Sequence, residues 1–336
     1  MSLSQTFKKS LAVAVLALAP ALANANDNVL TVYTYDSFTS DWGPGPQVEK
    51  AFEAECGCDL QWVATEDAVG LLSRLRLEGS NSKADIVLGL DQNLISRAKN
   101  TELFIESATD LSKLSLPNGW SDTTFVPFDY GHFAFVYDSS KTTPPTSLKS
   151  LVEDADVSIV IQDPRTSSPG LGLLLWVKSV YGDQAGEAWE KLSKKIVTTT
   201  KGWSEAYGMF LEGEADMVLS YTTSPAYHME AEGEFKYKSA PFSEGHYEQI
   251  EVAAKLKNAP NPALADQFLN FMVSDKFQSI IPTTNWMLPV AAAGELPAAF
   301  AKDKIHYPET SLSISSEDVA KNNSDWVDEW LEAVSQ

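Results

Sequence analysis

Apolar and polar residues along the first third of the chain form short runs in which strands and helices alternate. Residues 30–35, 59–64 and 84–90 are rich in β-forming apolar residues and predict strands. Residues 47–55 and 67–79 have the apolar spacing of helices, the second with Asp67 as its cap. Because alternating strands and helices usually give parallel pairing, this part predicts an α/β fold with a mainly parallel sheet.

The same alternation resumes near residue 125 and predicts a second lobe. Strands are predicted at 131–137, 159–162, 217–219 and 250–256, and helices at 171–181, 189–195, 262–281 (one or two) and 316–334. We expect lobe 1 to comprise residues 26–127 and 248–300 and lobe 2 to comprise 128–247, with a return crossing at 240–247. A C-terminal helical segment, residues 301–336, is expected to pack on lobe 2. Two such lobes predict a cleft that closes on a small ligand.

The first 25 residues have the pattern of a cleavable secretory signal peptide. Lys8 and Lys9 precede the apolar run 11–18, and small residues at 21–25 offer cleavage sites. The apolar run is shorter than the roughly 20 residues of a transmembrane helix. The sequence therefore predicts an exported, periplasmic protein.

Charge and cysteine content narrow the possible partners. With 46 Asp and Glu against 25 Lys and Arg, the formal net charge is −21, which disfavours nucleic acid and anionic lipid and favours a cationic ligand, although solubility alone would also explain it. Cys56 and Cys58 are the 2 cysteines of the chain. They could form a small disulfide or remain thiols, and their acidic neighbours favour a structural clip over a redox pair.

Motifs of catalysis are missing from the sequence. The 4 histidines have no metal-ligand spacing, and neither G-x-S-x-G nor H-E-x-x-H occurs. We therefore expect a protein that is not an enzyme and needs no cofactor or metal.

Aromatic residues at the predicted ends of strands and helices are the stronger signal. Any one of these rings could be ordinary packing, but together they suit a cation, because each good cation–π contact contributes roughly 0.5–2 kcal/mol. The set comprises Tyr35, Trp42, Trp203, Tyr221, Tyr227 and Trp286.

Two polar features accompany the rings. Asp67 can cap its helix, accept a hydrogen bond from a ligand, or do both. The loop 166–170, with Ser167 and Pro169, leads into a helix and is either an ordinary cap or an anion site for a phosphate or carboxylate.

Several long segments resemble the periplasmic thiamine-binding proteins of bacterial thiamine ABC importers. They include YTYDSFTSDWGPGP, ATEDAVGLLSRLRLEG, QDPRTSSPGLGLLLW and KGWSEAYGMFLEGEADMVLSYTTSPAYH, together with 84–94, 125–138 and 281–290. The resemblance implies a type II periplasmic-binding-protein fold that encloses thiamine, thiamine monophosphate or thiamine diphosphate between its lobes. It also implies a monomer that delivers this ligand to an inner-membrane ABC permease.

The resemblance further implies which residues contact the ligand. They are Tyr35, Trp42, Asp67 and Ala68 from lobe 1, Ser167, Trp203, Tyr221 and Tyr227 from lobe 2, and Trp286 near the interface. Ala68 stands where the family often has glycine, which matters little if its backbone N–H makes the contact. The rings would hold the thiazolium cation, Asp67 the aminopyrimidine, and the Ser167 loop with Trp203 the hydroxyethyl tail or its phosphate.

Two alternatives are weighed against this interpretation. The first is a receptor of the same fold for ferric iron or a polyamine, for which Tyr221 and Tyr227 would be candidate iron ligands. The second is a thiamine-modifying enzyme of the same fold, which would need a nucleophilic cysteine in the cleft. The predicted position of Cys56 and Cys58, at the amino-terminal side of a strand, is the wrong end for such a residue.

Overall fold

A single mixed sheet of eleven strands forms the framework of residues 28–335, which the computed structural model describes. The predicted signal peptide, residues 1–25, lies outside the described residues. The strands are β1 (Val29–Tyr35), β2 (Asp59–Thr65), β3 (Ile86–Asp91), β4 (Phe125–Asp138), β5 (Ile159–Gln162), β6 (Ile196–Thr200), β7 (Met217–Tyr221), β8 (Tyr237–Ser239), β9 (His246–Lys255), β10 (Leu288–Pro289) and β11 (Ser311–Leu312).

Helices cover both faces of this sheet. They are α1 (Asp36–Thr39), α2 (Gly45–Cys56), α3 (Ala68–Glu78), α4 (Ile95–Lys99), α5 (Leu148–Glu153), α6 (Ser168–Tyr181), α7 (Ala185–Leu192), α8 (Trp203–Leu211), α9 (Pro225–Tyr227), α10 (Pro262–Met272), α11 (Asp275–Gln278), α12 (Ile281–Thr284) and α13 (Ser316–Val334). A π-helical turn, His228–Glu232, follows α9.

The strand order is β2-β1-β3-β9-β4-β7-β5-β6, which divides the sheet into two flanks. Strands β2, β1 and β3 pair in parallel in one flank, and β7, β5 and β6 pair in parallel in the other. The long strands β4 and β9 lie between the flanks and pair antiparallel with each other and with β3 and β7. The predicted fold class, an α/β protein with mainly parallel sheets, is confirmed, with an antiparallel centre added.

Strands β4 and β9 connect the flanks directly, because β9 pairs with β3 of one flank, β4 pairs with β7 of the other, and the two pair with each other. Every residue of β9 is buried, and Asp129 of β4 lies opposite Glu251 of β9 in the register. The predicted lobe boundaries, 127/128 and 247/248, fall inside these strands. The predicted return crossing at 240–247 covers only the start of β9. Several buried residues of β9 are polar, so this strand lacks the continuous apolar run from which its full length could be predicted.

Helix positions follow the predictions with local differences. Helix α6 begins at Ser168 rather than 171, because Ser167 is its N-cap and Pro169 fits the first turn. Helix α13 spans the predicted residues 316–334. It contacts both flanks, since Ser316 Oγ lies 2.7 Å from Ser96 Oγ of α4 and Glu329 forms an ion pair with Lys178 of α6.

The cysteines form a disulfide at the end of α2. Cys56 is the last residue of that helix, Gly57 adopts a left-handed conformation with φ of 62°, and the Cα atoms of Cys56 and Cys58 are 5.1 Å apart. Of the two possibilities left open by the sequence, the structure therefore has the disulfide.

Histidines cluster beside the central strands. The His246 and His306 rings lie 5.0 Å apart, and His132 Nε2 lies 2.6 Å from Ser311 Oγ. His246 Nδ1–H donates to the Phe133 carbonyl, while its Nε2 accepts the Phe242 N–H, so the neutral ring is satisfied on both sides. Burial lowers the pKa of His246 to about 3. Protonation of Nε2 would break the bond from Phe242.

We predict that His246 makes folding sensitive to acid. Its folded pKa lies below the unfolded value of about 6.5, so its contribution to stability is present above that pH and is lost as the pH falls. Between pH 7 and pH 5 the free energy of unfolding should drop by about 2 kcal/mol more in the wild type than in His246→Gln. Urea denaturation at both pH values measures this difference, since the carboxylates act equally in both proteins. Parallel pH dependences would contradict the assignment.

Candidate ligand-binding site

A cavity of about 280 Å³ lies where the two flanks face each other. Elements from both flanks present residues to it at the carboxyl ends of parallel strands: Tyr35 ends β1, Asp67 follows β2, and Tyr221 ends β7. This is the edge at which α/β sheets commonly bind ligands.

Stacked aromatic rings form one wall and the mouth of the cavity. Trp203, at the start of α8, stacks on Tyr207 with ring centroids 4.8 Å apart, and its Nε1–H donates to Ser220 Oγ at 2.8 Å. Trp42 from the other flank lies 6.1 Å from Trp203 and is 52% exposed. The mouth is therefore lined by one indole ring from each flank.

A second aromatic pair closes the opposite side. Tyr227 and Trp286 meet edge to face with centroids 5.5 Å apart, and Tyr221 packs on Phe133. Trp286 has φ of 56°, a left-handed conformation that is unfavourable for a large side chain. Such strain is often found at functional sites, and here it accompanies the placement of the indole ring in the cavity wall.

The floor of the cavity is acidic. Tyr35 OH donates to Glu251 Oε2 at 2.7 Å, and Asn285 Nδ2 donates to Tyr35 OH and to Asp129 Oδ2, at 3.2 and 2.6 Å. Glu251 lines the cavity, and Asp129 lies opposite it in the sheet. Burial, and then the charge of Asp129, raise the pKa of Glu251 well above its ordinary value. The floor therefore presents carboxyl groups in an environment that disfavours their ionisation.

Asp67 links the two flanks at the side of the cavity. Its Oδ2 accepts from Ser167 Oγ at 2.6 Å, and its Oδ1 accepts from the Ala68 N–H at 2.7 Å and the Ser168 N–H at 3.3 Å. Burial raises the pKa of Asp67 to about 6, although these hydrogen bonds oppose the shift. The carboxylate thus caps its own helix, α3, and also receives the amino terminus of α6.

Further contacts hold the flanks together around Asp67. The Gly70 N–H donates to the Thr166 carbonyl at 2.9 Å, and Ser204 Oγ donates to Asp36 Oδ1 at 3.2 Å. A Cβ atom at Gly202 would lie 2.9 Å from the Glu66 carbonyl oxygen, so only glycine fits this approach without movement. The flanks therefore meet through direct hydrogen bonds on this side of the cavity.

The predicted site residues divide into two groups in the structure. The residues that line the cavity are Tyr35, Trp42, Asp67, Trp203, Tyr221, Tyr227 and Trp286. Ala68 and Ser167 lie behind its wall, almost fully buried and bonded to Asp67. Asp67 and Ser167, which were expected to serve different parts of the ligand, contact each other directly.

Several lining residues were not predicted. Tyr207 lies four positions after Trp203 on the same helix, a spacing that could have identified it. Glu251 was visible as an acid inside a predicted strand. Asn285, which bonds to both Tyr35 and Asp129, had no signal beyond its neighbour Trp286.

Residues 28–335 lack the features of a metal site and of a membrane-spanning helix. In this part of the chain no group of three or more His, Cys, Asp or Glu side chains is placed to hold a metal ion. Nor does any helix there have the length and apolar character needed to span a bilayer.

Comparison with known proteins places the chain in a family. The model of the bacterial extracellular solute-binding proteins matches residues 81–311. The chain belongs to this family. The thiamine-binding periplasmic protein of Escherichia coli (strain K12) is 57% identical over 331 residues, which cover 98% of this chain and 99% of that protein. The protein of the same name from Haemophilus influenzae is 47% identical and covers 92% of this chain and 93% of its own length.

Solved structures agree with these relatives. A periplasmic thiamin binding protein superposes with a TM-score of 0.89 at 59% identity, over 92% of this chain and 96% of that one. A ferric binding protein from Campylobacter jejuni superposes with a TM-score of 0.74 at 20% identity, over 90% and 99% of the two chains, which shows a shared fold alone. The resemblance predicted from the sequence is therefore confirmed for this solute-binding protein.

We predict that Gly89 is required for the position of Tyr35. Gly89 has φ of 103°, and a Cβ atom there would lie 2.3 Å from Tyr35 Cδ1. Gly89→Ala should therefore lower the free energy of unfolding by about 3 kcal/mol, through backbone strain and overpacking together. Gly213→Ala is the matched control, because Gly213 also has positive φ, 83°, but no atom near its Cβ position. We expect about 1 kcal/mol there, and equal losses would argue against a contact with Tyr35.

Proposed function

We propose that this solute-binding protein is a periplasmic receptor that captures thiamine and delivers it to an inner-membrane ABC permease. The observation that carries the proposal is the cavity itself, in which aromatic rings from both flanks stand above an acidic floor. The relatives named thiamine-binding periplasmic proteins, at 47% to 57% identity over nearly the whole chain, support the same ligand.

The chemistry of thiamine matches this cavity. Its thiazolium ring is a permanent cation, which aromatic faces such as Trp203 and Tyr221 attract. Its aminopyrimidine is flat and apolar on both faces, so it can pack against cavity-lining rings such as Tyr227 and Trp286. With about 18 non-hydrogen atoms at about 0.6 kcal/mol each, a dissociation constant on the order of 10 nM is physically reachable.

The alternatives find less support in the geometry. Tyr221 packs on Phe133 and Tyr227 on Trp286, so the proposed iron ligands belong to aromatic pairs. Cys56 and Cys58, the candidate nucleophiles of an enzyme, are joined in a disulfide at the end of α2 and do not line the cavity. We propose accordingly that the protein binds and releases its ligand without covalent chemistry and needs no cofactor.

The remaining parts of the proposal follow from the same role. The relatives are named as periplasmic proteins, and the signal-like residues 1–25 fit export to that compartment. One cavity between two flanks of one sheet is complete within one chain, which supports a monomeric receptor.

The direct test identifies the ligand that the protein carries. Protein purified from its host and denatured should release thiamine or a thiamine phosphate, detected by mass spectrometry. Refolded, ligand-free protein should bind added thiamine in a calorimetric titration, and Trp203→Ala should weaken binding by about tenfold or more, since it loses a cation–π face. Absence of any thiamine species together with no binding of added thiamine would refute the proposed function.

We propose further that thiamine monophosphate and thiamine diphosphate are ligands. The amino terminus of α6 can stabilise an anion, and its Ser168 N–H already donates to one, the Asp67 carboxylate. A phosphate on the ligand tail would compete with Asp67 for this end of the helix. The charge of Asp67 should therefore favour thiamine over its phosphates.

Asp67→Asn tests this competition. An asparagine can keep the hydrogen bonds to Ser167 and Ala68 but carries no charge, so the ratio of thiamine monophosphate affinity to thiamine affinity should rise about tenfold. Asp91→Asn is the control, because Asp91 is also buried, caps the short 3₁₀ turn Gln92–Leu94 and accepts from Ser168 Oγ, but does not line the cavity. An unchanged ratio in Asp67→Asn would show that the phosphate of the ligand does not bind at this end of the cavity.

A further inference from the structure

A pair of buried carboxyl groups lies at the centre of the sheet, beneath the cavity. Asp129 of β4 and Glu251 of β9 are opposite each other in the antiparallel register, so their side chains are on the same face. Asp129 is fully buried and Glu251 is 6% exposed. Of the two, Glu251 reaches the cavity.

The hydrogen bonds of this pair leave one oxygen without a partner. Glu251 accepts from Tyr35 OH through Oε2 and from Gln249 Nε2 through Oε1, at 2.7 and 3.0 Å. Asp129 Oδ2 accepts from Asn285, but among residues 28–335 Asp129 Oδ1 has no hydrogen-bond partner. A buried carboxylate oxygen without a donor is rare in folded proteins, and it indicates that a proton or a cation belongs there.

The groups around the pair add negative charge rather than cancel it. The titratable groups that face it are the carboxylates Asp67 and Asp91 and the phenols Tyr35 and Tyr221. In the described part of the chain none of these carboxylates forms an ion pair with a lysine, arginine or histidine.

Two adjacent carboxyl groups in such surroundings cannot both ionise easily, because each charge raises the cost of the other. Burial raises the pKa of Asp129 to about 8, and burial together with the charge of Asp129 raises that of Glu251. The pair therefore retains a proton at neutral pH when no cation is nearby. A permanent positive charge above Glu251 would reverse this balance, because it stabilises the ionised form of both groups.

We infer that the Asp129–Glu251 pair is the counter-charge of the bound cation and releases a proton to solvent when the cation enters. The inference deepens the proposed function and rests on it. The charges balance, because the ligand brings one positive charge into the cavity and one proton leaves from a carboxyl O–H bond. No covalent bond to the ligand forms or breaks. The exchange also favours a cation over an uncharged molecule of the same shape, because the uncharged molecule cannot stabilise the ionised pair.

Calorimetry of thiamine binding counts the released protons. Titrations at pH 7.5 in phosphate and in Tris, which differ in ionisation enthalpy, should give a release approaching about one proton per thiamine. At this pH Asp67, with a pKa of about 6, is mostly ionised already and contributes little. At about pH 8.5 the release should fall well below that at pH 7.5, and thiamine affinity should rise by up to about tenfold per pH unit between pH 6.5 and pH 8.

The variants Glu251→Gln and Glu248→Gln form a matched pair. Glu248 is a buried carboxyl group on the same strand, also with a raised pKa, but it points to the opposite face and does not line the cavity. Glu251→Gln should release less than about half as many protons and bind thiamine about tenfold or more weakly. Glu248→Gln should match the wild type in both measurements.

The outcomes separate this inference from the proposed function. Tight thiamine binding by the wild type without proton release would overturn the inference and leave the receptor function intact. A folded Glu251→Gln that matches Glu248→Gln in both proton release and thiamine affinity would also overturn it, because the carboxyl group that lines the cavity would then take no part. If that variant fails to fold, the proton count of the wild type at the two pH values still decides. No thiamine binding by the wild type would overturn both.

Discussion

The antiparallel pairing of β4 and β9 is the constraint on which the rest of the molecule depends. The two strands lie between the flanks and join them, so their register fixes how the flanks face each other. The same register puts Asp129 opposite Glu251. A shift of one strand against the other by one residue would put the two carboxyl groups on opposite faces of the sheet, because side chains alternate along a strand. The hydrogen bonds between β4 and β9 therefore determine both the arrangement of the flanks and the position of the carboxyl groups in the cavity floor.

The acids of the cavity differ in how the fold stabilises them. Asp67 and Asp91 each cap a helix, and N–H and hydroxyl donors compensate part of their desolvation. Asp129 and Glu251 lie on strands, where no helix dipole helps and the nearest charges are carboxylates. Burying such a pair opposes folding. A fold that retains such a buried pair is less stable because of it, and we expect the pair to contribute to ligand binding instead.

Sequence reasoning found the features that have local signals. Tyr35, Trp203 and Tyr221 lie at element ends that periodicity predicts, and the structure brings them together because parallel strands end at one edge. Glu251 was missed because an acid within a strand is expected to face solvent when the opposite face is apolar. The contact between Asp67 and Ser167 joins residues 100 positions apart, and nothing in either local pattern indicates it. Contacts between residues far apart in the chain, and the strand register that produces them, could not be predicted from the single sequence.

The fold alone does not choose the ligand, because ferric binding proteins share it at about 20% identity. Ligand specificity must therefore come from the side chains at the strand ends, which can differ between proteins that share this fold. In this chain those positions carry indole and phenol rings, and in residues 28–335 no group of three or more His, Cys, Asp or Glu side chains accompanies them as a metal site. Aromatic rings attract a delocalised cation but do little to fix the position of its charge. A carboxylate below the rings does fix that position. Glu251, on the central strand β9, lines the same cavity as the rings of both flanks. A ligand that is flat and carries its charge within a ring satisfies the walls and the floor at once, and a compact metal ion or a flexible polyamine satisfies only the floor.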